Sequence, residues 1–582
     1  MDSTLPLDVL RDLGRWLPQN DLIHLAFTCR RLYRALHEHI YLAIVIDSSK
    51  RVFCLELAAE CTTRYIQTSQ SAFEPVVIRS LYALTRFLKT LIAHPEYAQY
   101  IRILVAQDRF PDVPALDLKN YLIQVFPHLD RLQVLNWYLP DCPLHAELLA
   151  LLPRPERLES LCGNFQSLHT NFCAKNFFAL RHVDISGFSS AEALAHIDFS
   201  KFHLLESLTL SRNVPRNRIS FASKLDRCCR KSVETQVENL TAILSAPKAP
   251  LCMLQIISSQ IEPSHRLRSL VLRDISVTPS DGRTLLENID GTTLNHLSLE
   301  NCVEQLFEPD FYHPNEVRIV RRNPPAVTFM DAFFAGITHL RLLDINLTNE
   351  LCYNDATLRA ISKLRGLLRL SVHLKHFCQR GAYDIEPLIT ALRTHRHTLK
   401  HLNICINVVE RIHVSLCPKK VSYYELDSLH GLCVLTHLRV LRLPVKYGQI
   451  EKIPLHLSQL KNIEILHLVV TDLNSLPLTA SCNNCENPAM YALCKSNSLI
   501  ATEYFHGANS YANSLKEENA NHFLEFAVLY KQFFPKLAYL RIDLNDQSFL
   551  FDCRSASFIS FKDQVYLDHF DLLTSRHLSE TY

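Results

Sequence analysis

A six-residue phrase, Leu-x-x-Leu-x-Leu, recurs along most of this 582-residue chain and constrains its fold more than any other feature. Copies start at Leu132 (LQVLNW), Leu180 (LRHVDI), Leu205 (LESLTL), Leu267 (LRSLVL), Leu294 (LNHLSL) and Leu340 (LRLLDI). Later copies start at Leu367, Leu399 (LKHLNI), Leu438 (LRVLRL), Ile463 (IEILHL) and Leu537 (LAYLRI). Leu158–Gly163 (LESLCG) is a degraded copy, with glycine in place of the last apolar residue. Starts at 132, 158, 180 and 205 lie 26, 22 and 25 residues apart, and those at 267 and 294, or 340 and 367, lie 27 apart. Alternation of this kind puts the apolar residues on one face of a short strand and the intervening ones on the other. No single unit buries its own apolar face, so neighbours must stack. The wider gaps hold longer units, insertions or diverged copies.

Phrase and spacing together resemble the leucine-rich repeat family over roughly residues 100–545, with irregular repeats. The resemblance implies an α/β fold, a solenoid bent into a horseshoe whose concave face binds a protein. Residues facing away from the apolar side would line that face. They are Asn136, Tyr138, His182, Asp184, Ser207, Thr209, Arg273, His296, Ser298, Glu300 and Asp344. The row continues with Asn346, Arg369, Ser371, His373, His401, Asn403, Arg442, His467, Tyr539, Arg541 and Asp543. Candidate substrate-binding residues among them are Tyr138, His182, Asp184, Arg273, His296, Glu300, Asp344, Arg369, His373, His401, Arg442, Tyr539 and Arg541. Arg, His, Tyr and Asp suit protein recognition, although polar residues also line any solvated strand face.

Glycine usage removes most familiar enzyme classes. Only 11 glycines occur, about 2% against an average near 7%, and the closest pair, Gly282 and Gly291, is nine positions apart. The dinucleotide fingerprint, the P-loop and the nucleophile elbow each need two glycines within about five positions. Neither a His-Glu-x-x-His zinc helix nor an EF-hand loop occurs. No catalytic residue, metal or cofactor is therefore expected, and the chain reads as a non-enzyme. Lys plus Arg (61) nearly balances Asp plus Glu (59), which gives no global electrostatic attraction for nucleic acid or an anionic membrane.

Asp2, Asp8, Arg11 and Asp12 break any signal-peptide pattern, and no apolar run reaches 18 residues. The 19 cysteines are scattered and odd in number, as expected of reduced, buried thiols in a cytoplasmic or nuclear protein.

The first forty residues carry a sharper pattern. Val9, Leu10, Leu13 and Leu17 recur at helical spacing, with Pro6 in a first-turn position and Pro18 as a stop. Asn20 or Asp21 is positioned to cap a second helix carrying Leu22 and Leu25, and Thr28 a third carrying Leu32, Tyr33 and Leu36. Three helices this short cannot bury so many leucines among themselves. The string LPLDVLRDLGRWLPQNDLIHLAFTCRRLYRAL resembles an F-box, through its Leu-Pro opening, the Asp8-Val9-Leu10 cluster, the Leu-Pro-x-x-Asp-Leu junction at 17–22 and the Cys29-Arg30-Arg31-Leu32 close. Tyr33 stands where many members carry tryptophan, and Gly14 lies inside the first helix, where it costs roughly 1 kcal/mol relative to alanine.

The resemblance implies docking on the Skp-type adaptor of a cullin–RING (SCF-type) ubiquitin ligase through Leu5, Pro6, Val9, Leu10, Leu13, Leu17, Leu22 and Leu25. The layout resembles fungal members of the group. Combined with the repeats, it implies a substrate-recognition subunit that reaches cullin and RING subunits through the adaptor and holds an unknown protein substrate. The alternatives are a scaffold that binds the adaptor outside any ligase, and a repeat protein whose first helices only cap the array. The expected organisation is an F-box at 1–45, a connecting helical segment and first atypical repeat at 46–100, the array at 101–545 with insertions including 474–530, and a C-terminal cap or tail at 546–582. Within it, Tyr41–Asp47 and Ile101–Ala106 read as strands and Ser80–His94 as a helix. Four further clusters stand out. Cys482, Cys485 and Cys494 match zinc spacing in part, Cys228-Cys229 sits among basic residues, and Arg318, Arg321 and Arg322, or Arg393, Arg396 and Lys400, could receive an acidic or phosphorylated motif.

Overall fold

The computed structural model describes residues 6–14, 16–17, 19–46, 76–106, 115–139, 143–164, 177–187, 202–212, 267–304, 327–349, 354–377, 384–409, 426–472, 523–544 and 547–559. The chain is mixed α/β with long runs of parallel strands. It divides into two compact units, and the described residues through Ile337 fall in the first and those from Thr338 onward in the second. The division lies inside the stretch that the sequence reads as one array.

The first unit opens with three helices, α1 (Leu7–Gly14), α2 (Gln19–Thr28) and α3 (Arg30–Ile40). Leu10, Leu22, Ala26, Ala35 and Leu36 form their core, with Leu17, Leu25, Leu32, Tyr33 and Ile40 packed against it. Gly14 has a steric reason to be glycine. A Cβ there would stand 2.6 Å from the His39 ring and 2.9 Å from a Leu36 methyl. Helix capping differs from the sequence expectation. Thr28 turns its hydroxyl back to donate to the Leu25 carbonyl (2.7 Å), and extended Cys29 caps α3, its Sγ accepting from the Leu32 amide. Asn20 and Asp21 lie within α2, where Asp21 still complements the helix dipole from the first turn.

Only two residues separate α3 from β1 (Ala43–Ile46). Rings bridge that junction. Tyr41 stacks on Tyr97 at 5.0 Å, His37 meets Tyr100 edge-on at 4.7 Å, and Arg131 lies over Tyr100 while ion-pairing with Glu38 at 3.1 Å. The helix Leu81–Ala93, capped by Ser80, buries Leu84, Leu88 and Leu91.

β1 lies between β2 (Val76–Ile78) and β3 (Ile103–Ala106), all parallel. From β3 the parallel ladder continues through β4 (Val134–Trp137), β5 (Ser160–Asn164), β6 (His182–Ser186), β7 (Ser207–Ser211), β8 (Ser269–Arg273) and β10 (His296–Glu304), with β9 (Ser276–Val277) also on β10. The second unit repeats the pattern in β11 (Leu342–Asn349), β12 (Arg369–Phe377), β13 (His401–Val409), β14 (Val440–Lys446), β15 (Ile465–Asp472) and β16 (Tyr539–Leu544). Two antiparallel strands, β17 (Gln547–Asp552) and β18 (Ser557–Ile559), end it. Phe549, Leu550 and Phe551 of the expected C-terminal cap are buried there.

Every phrase is a strand. Its first leucine is buried just before the strand, and its second and third apolar residues are buried within it, from Leu132, Leu135 and Trp137 to Leu537, Leu540 and Ile542. One carbonyl per step accepts two amides from the next unit. Arg102 takes those of Gln133 and Val134, Gln133 those of Glu159 and Ser160, Glu159 those of Arg181 and His182, and Arg181 those of Glu206 and Ser207. The second unit does the same from Arg341 to Leu368 and Arg369, and onward to Glu464 with Ala538 and Tyr539. In the first unit the side chains at this position alternate in charge from Glu159 to Arg268, with Arg181 against Glu206 at 3.1 Å and Arg268 against Glu206 at 3.7 Å.

A helix over 523–533 extends into the segment that the sequence reads as an insertion, burying Phe523, Ala527, Tyr530 and Phe534. The polar residues before it obscured that helical period. No helix among the described residues is long and apolar enough to cross a membrane.

The degraded phrase also has a physical cause. A Cβ on Gly163 would lie 2.6 Å from the Trp137 carbonyl oxygen, so the neighbouring backbone occupies the space. Gly163→Leu, which restores the phrase, is expected to destabilise the first unit by about 1–3 kcal/mol, measured as faster amide exchange in β4 and β5. Unchanged exchange would contradict this steric account.

Candidate functional site

Two surfaces present side chains beyond what folding requires. The first is α1, whose residues divide into two stripes. Leu10, Gly14 and Leu17 turn toward the helical core. Pro6, Val9, Leu13 and Trp16, at helical spacing, are exposed, Val9 by 44%, Leu13 by 38% and Trp16 by 74%. Leu7 and Phe27 are exposed as well. The eight residues expected to contact an adaptor therefore separate. Pro6, Val9 and Leu13 are at the surface, Leu17 and Leu25 are half-buried, Leu10 and Leu22 belong to the core, and Leu5 lies outside the described residues. Leu10 and Leu22 pack the centre of the bundle, which has few other residues to fill it. Trp16, Leu7 and Phe27 were missed, and the spacing of Trp16 from Val9 and Leu13 was the available signal. Beside Phe27, an open groove is lined by Cys29, Arg30, Tyr33, Arg34, His37 and Tyr97.

The second surface is the polar face of the strands, described for each unit by itself. In the first unit, in-register pairing lines up Asn136, Cys162, Asp184, Thr209, Val271 and Ser298. Tyr138 donates its hydroxyl to Asp184 (3.1 Å), Arg273 approaches Asp184 at 3.9 Å and donates to Glu300 at 2.7 Å, and Ser298 donates to Glu300 at 3.2 Å. Four of the expected residues thus form one network. His182 and His296 lie in the adjacent row, both buried, with His296 Nδ1 2.9 Å from the Ser269 hydroxyl.

In the second unit one row runs Asp344, Ser371, Asn403, Arg442, His467, Arg541 across six strands. Arg369 reaches Asp344 at 3.5 Å, and Asn403 donates to Ser371 at 2.9 Å. His467 Nε2 lies 2.6 Å from Asp543, to which Arg541 also donates at 2.8 Å. His401 is buried and His373 half-buried. Tyr539 lies under the guanidinium of Arg554, which bonds its hydroxyl and also Asp552. Arg442 differs from the rest. Among the described residues it makes neither hydrogen bond nor ion pair, and its Nε is buried. The expectation of an ordinary solvated face thus gives way to side chains packed against one another, because parallel strands hold them only about 4.8 Å apart. His467, Asp543 and Arg554 were not among the candidate site residues. The first two lie on polar positions of their strands, and Arg554 follows β17, outside any phrase.

Burial drives the His467 imidazole down to about 4, against the pull of Asp543. Burial also opposes ionisation of Asp543, but His467 and Arg541 beside it hold its carboxyl well below the usual carboxylate range. The pair is therefore a neutral imidazole donating to a carboxylate.

The remaining clusters hold less. Arg393 pairs with Glu386 at 3.2 Å, Arg396 donates to His397, and His395 is buried against the Ile361 carbonyl at 2.8 Å. Arg318, Arg321, Arg322, Cys228, Cys229, Cys482, Cys485 and Cys494 lie outside the described residues. Cys162, Cys302, Cys433 and Cys553 are buried thiols, and burial pushes Cys302 and Cys553 up to about 12.

Because His467 folds with its pKa below its ordinary 6.5, the unfolded chain binds a proton that the folded chain refuses, and stability falls as pH drops from about 6.5 toward 4. The expected loss between pH 7 and pH 5 is on the order of 2 kcal/mol, read from amide exchange in β15 and β16 after correction for intrinsic rates. His467→Gln is expected to flatten that slope; an equal slope in both chains would exclude His467 as its source.

No protein-family model and no curated protein matches this chain. Among solved structures it is similar to the yeast complex of Rad7 and Elc1, at 14% identity over 68% of this chain and 86% of that one, with a TM-score of 0.34. It is also similar to the leucine-rich repeat (LRR) protein LIC12759 of Leptospira interrogans, at 13% identity over 66% and 92% of the two chains, with a TM-score of 0.26.

Proposed function

We propose that this chain is the substrate-recognition subunit of an SCF-type cullin–RING ubiquitin ligase. In this reading the helices α1–α3 are an F-box that docks on a Skp-type adaptor, and the strands belong to an irregular leucine-rich-repeat solenoid whose polar face holds the target protein. The chain performs no chemistry itself and acts in cytosol or nucleus. One observation carries the reading: α1 turns Leu10 into the bundle core, while Val9 and Leu13 on it and Pro6 and Trp16 flanking it are exposed. Apolar residues at helical spacing on the outside of so small a bundle suit a protein partner. The sequence pattern that resembles an F-box spans the same helices. The short, ring-bridged junction between α3 and β1 supports a fixed attachment of this bundle to the strands that follow.

The test is capture of the adaptor by the full chain from host cells. Val9→Asp with Leu13→Asp is expected to weaken capture by about tenfold or more, since each change puts a charge into an apolar contact. Amide exchange in β3–β8 should not change. Leu22→Ala, a core truncation, should instead destabilise the bundle by about 2–5 kcal/mol. Full capture by the doubly substituted chain would remove α1 from the docking surface. Cullin held together with the adaptor supports the ligase, whereas adaptor without cullin supports the scaffold alternative.

A further inference from the structure

We infer that Arg442 is a receptor for a single carboxylate on an acidic segment of a bound protein. The inference rests on the reading above that the polar face holds a target. The second unit's polar face carries three guanidinium groups. Arg369 faces Asp344 at 3.5 Å and Arg541 is held by Asp543 at 2.8 Å, so each has a carboxylate within the fold. Arg442 has none. It stands in the same row, with Asn403 on one side and His467 on the other. Among the described residues it makes no hydrogen bond or ion pair, and its Nε is buried without an acceptor.

Arg442 is half-buried, and leaving its Nε out of water without an acceptor is costly to the free protein. Among the described residues neither neighbour accepts from it: His467 turns its Nε2 to Asp543, and Asn403 donates to Ser371 while its amide oxygen takes the Cys405 thiol. An oxyanion brought by a ligand satisfies the fork of Arg442 with two parallel bonds. Charge selects among oxyanions. One positive charge lacks a counterion, and a carboxylate supplies one negative charge. A phosphate carries about −1.5 to −2 and would set its excess near Asp543, on the far side of His467. A nucleic acid backbone would meet Asp344 in the same row and Asp543 two residues along β16 from it.

The experiment uses the full chain, labelled and applied to an array of nine-residue peptides with varied flanks and one central glutamate. Each peptide has glutamine and phosphoserine twins. The wild-type chain is expected to hold a subset of glutamate peptides about tenfold or more above their glutamine twins. Arg442→Leu should lose that preference, and Arg442→Lys should keep only part of it. The melting temperature of Arg442→Leu should be equal to or above wild type, because removing an unsatisfied donor relieves the free protein. No preference for glutamate in wild type, the same preference in Arg442→Leu, tighter binding of phosphoserine twins, or a lower melting temperature for Arg442→Leu would each overturn the inference. Adaptor capture by the same preparations separates the two ideas, because loss of the peptide result with adaptor still held defeats only the carboxylate receptor.

Discussion

The shared carbonyl is the constraint on which the rest depends. At each step one backbone oxygen, the second residue of a phrase, accepts two consecutive amides from the next unit. A slip of one residue would reverse the faces of a strand and expose its leucines. The double acceptor and the buried leucine beside it hold the same register from β3 to β8 and again from β12 to β16. The alternating ion pairs among Arg181, Glu206 and Arg268 sit at the same position. Exposed pairs of this kind add little stability each.

A fixed register converts sequence position into spatial rows. Residues that are 25 to 76 positions apart along the chain become neighbours, as with Arg181 and Glu206, or His467 and Asp543. The polar side therefore carries internal contacts, one network built on Asp184, Arg273 and Glu300, and two separate groups, Asp344 with Arg369 and His467 with Asp543 and Arg541. Groups whose partners lie within the row are held in place. Arg442 has no such partner among the described residues. The α1 helix has the same logic on a smaller scale, with one stripe satisfied inside and one not.

The strands were legible because leucine at the first, fourth and sixth positions of a phrase is a burial signal that each unit repeats. Even the degraded copy at 158 is a strand, with Gly163 placed by the approach of the Trp137 backbone. β2 was not legible, since three residues carry no period. The helix over 523–533 was hidden behind a polar stretch. Capping of α3 passed from Thr28 to Cys29 because a threonine hydroxyl can return to the preceding helical turn. For the candidate site, facing could be read from alternation, but pairing could not. Which carboxylate meets which guanidinium depends on the chain distance bridged between strands, and that distance varies from phrase to phrase. On α1 the periodicity identified an amphipathic helix without saying which leucines its own bundle would use, so Leu10 and Leu22 were grouped with Val9 and Leu13.

The double-acceptor carbonyl also separates two kinds of sequence change. Adding or removing a residue inside a phrase shifts every later side chain of that strand to the opposite face. Lengthening the stretch between phrases changes neither the register nor the rows, and the start-to-start intervals already range from 22 to 74 residues. The lineage of such a chain can therefore enlarge its crossovers while the polar rows keep their geometry. New specificity would then arise by substitution at a few polar strand positions rather than by remodelling the frame.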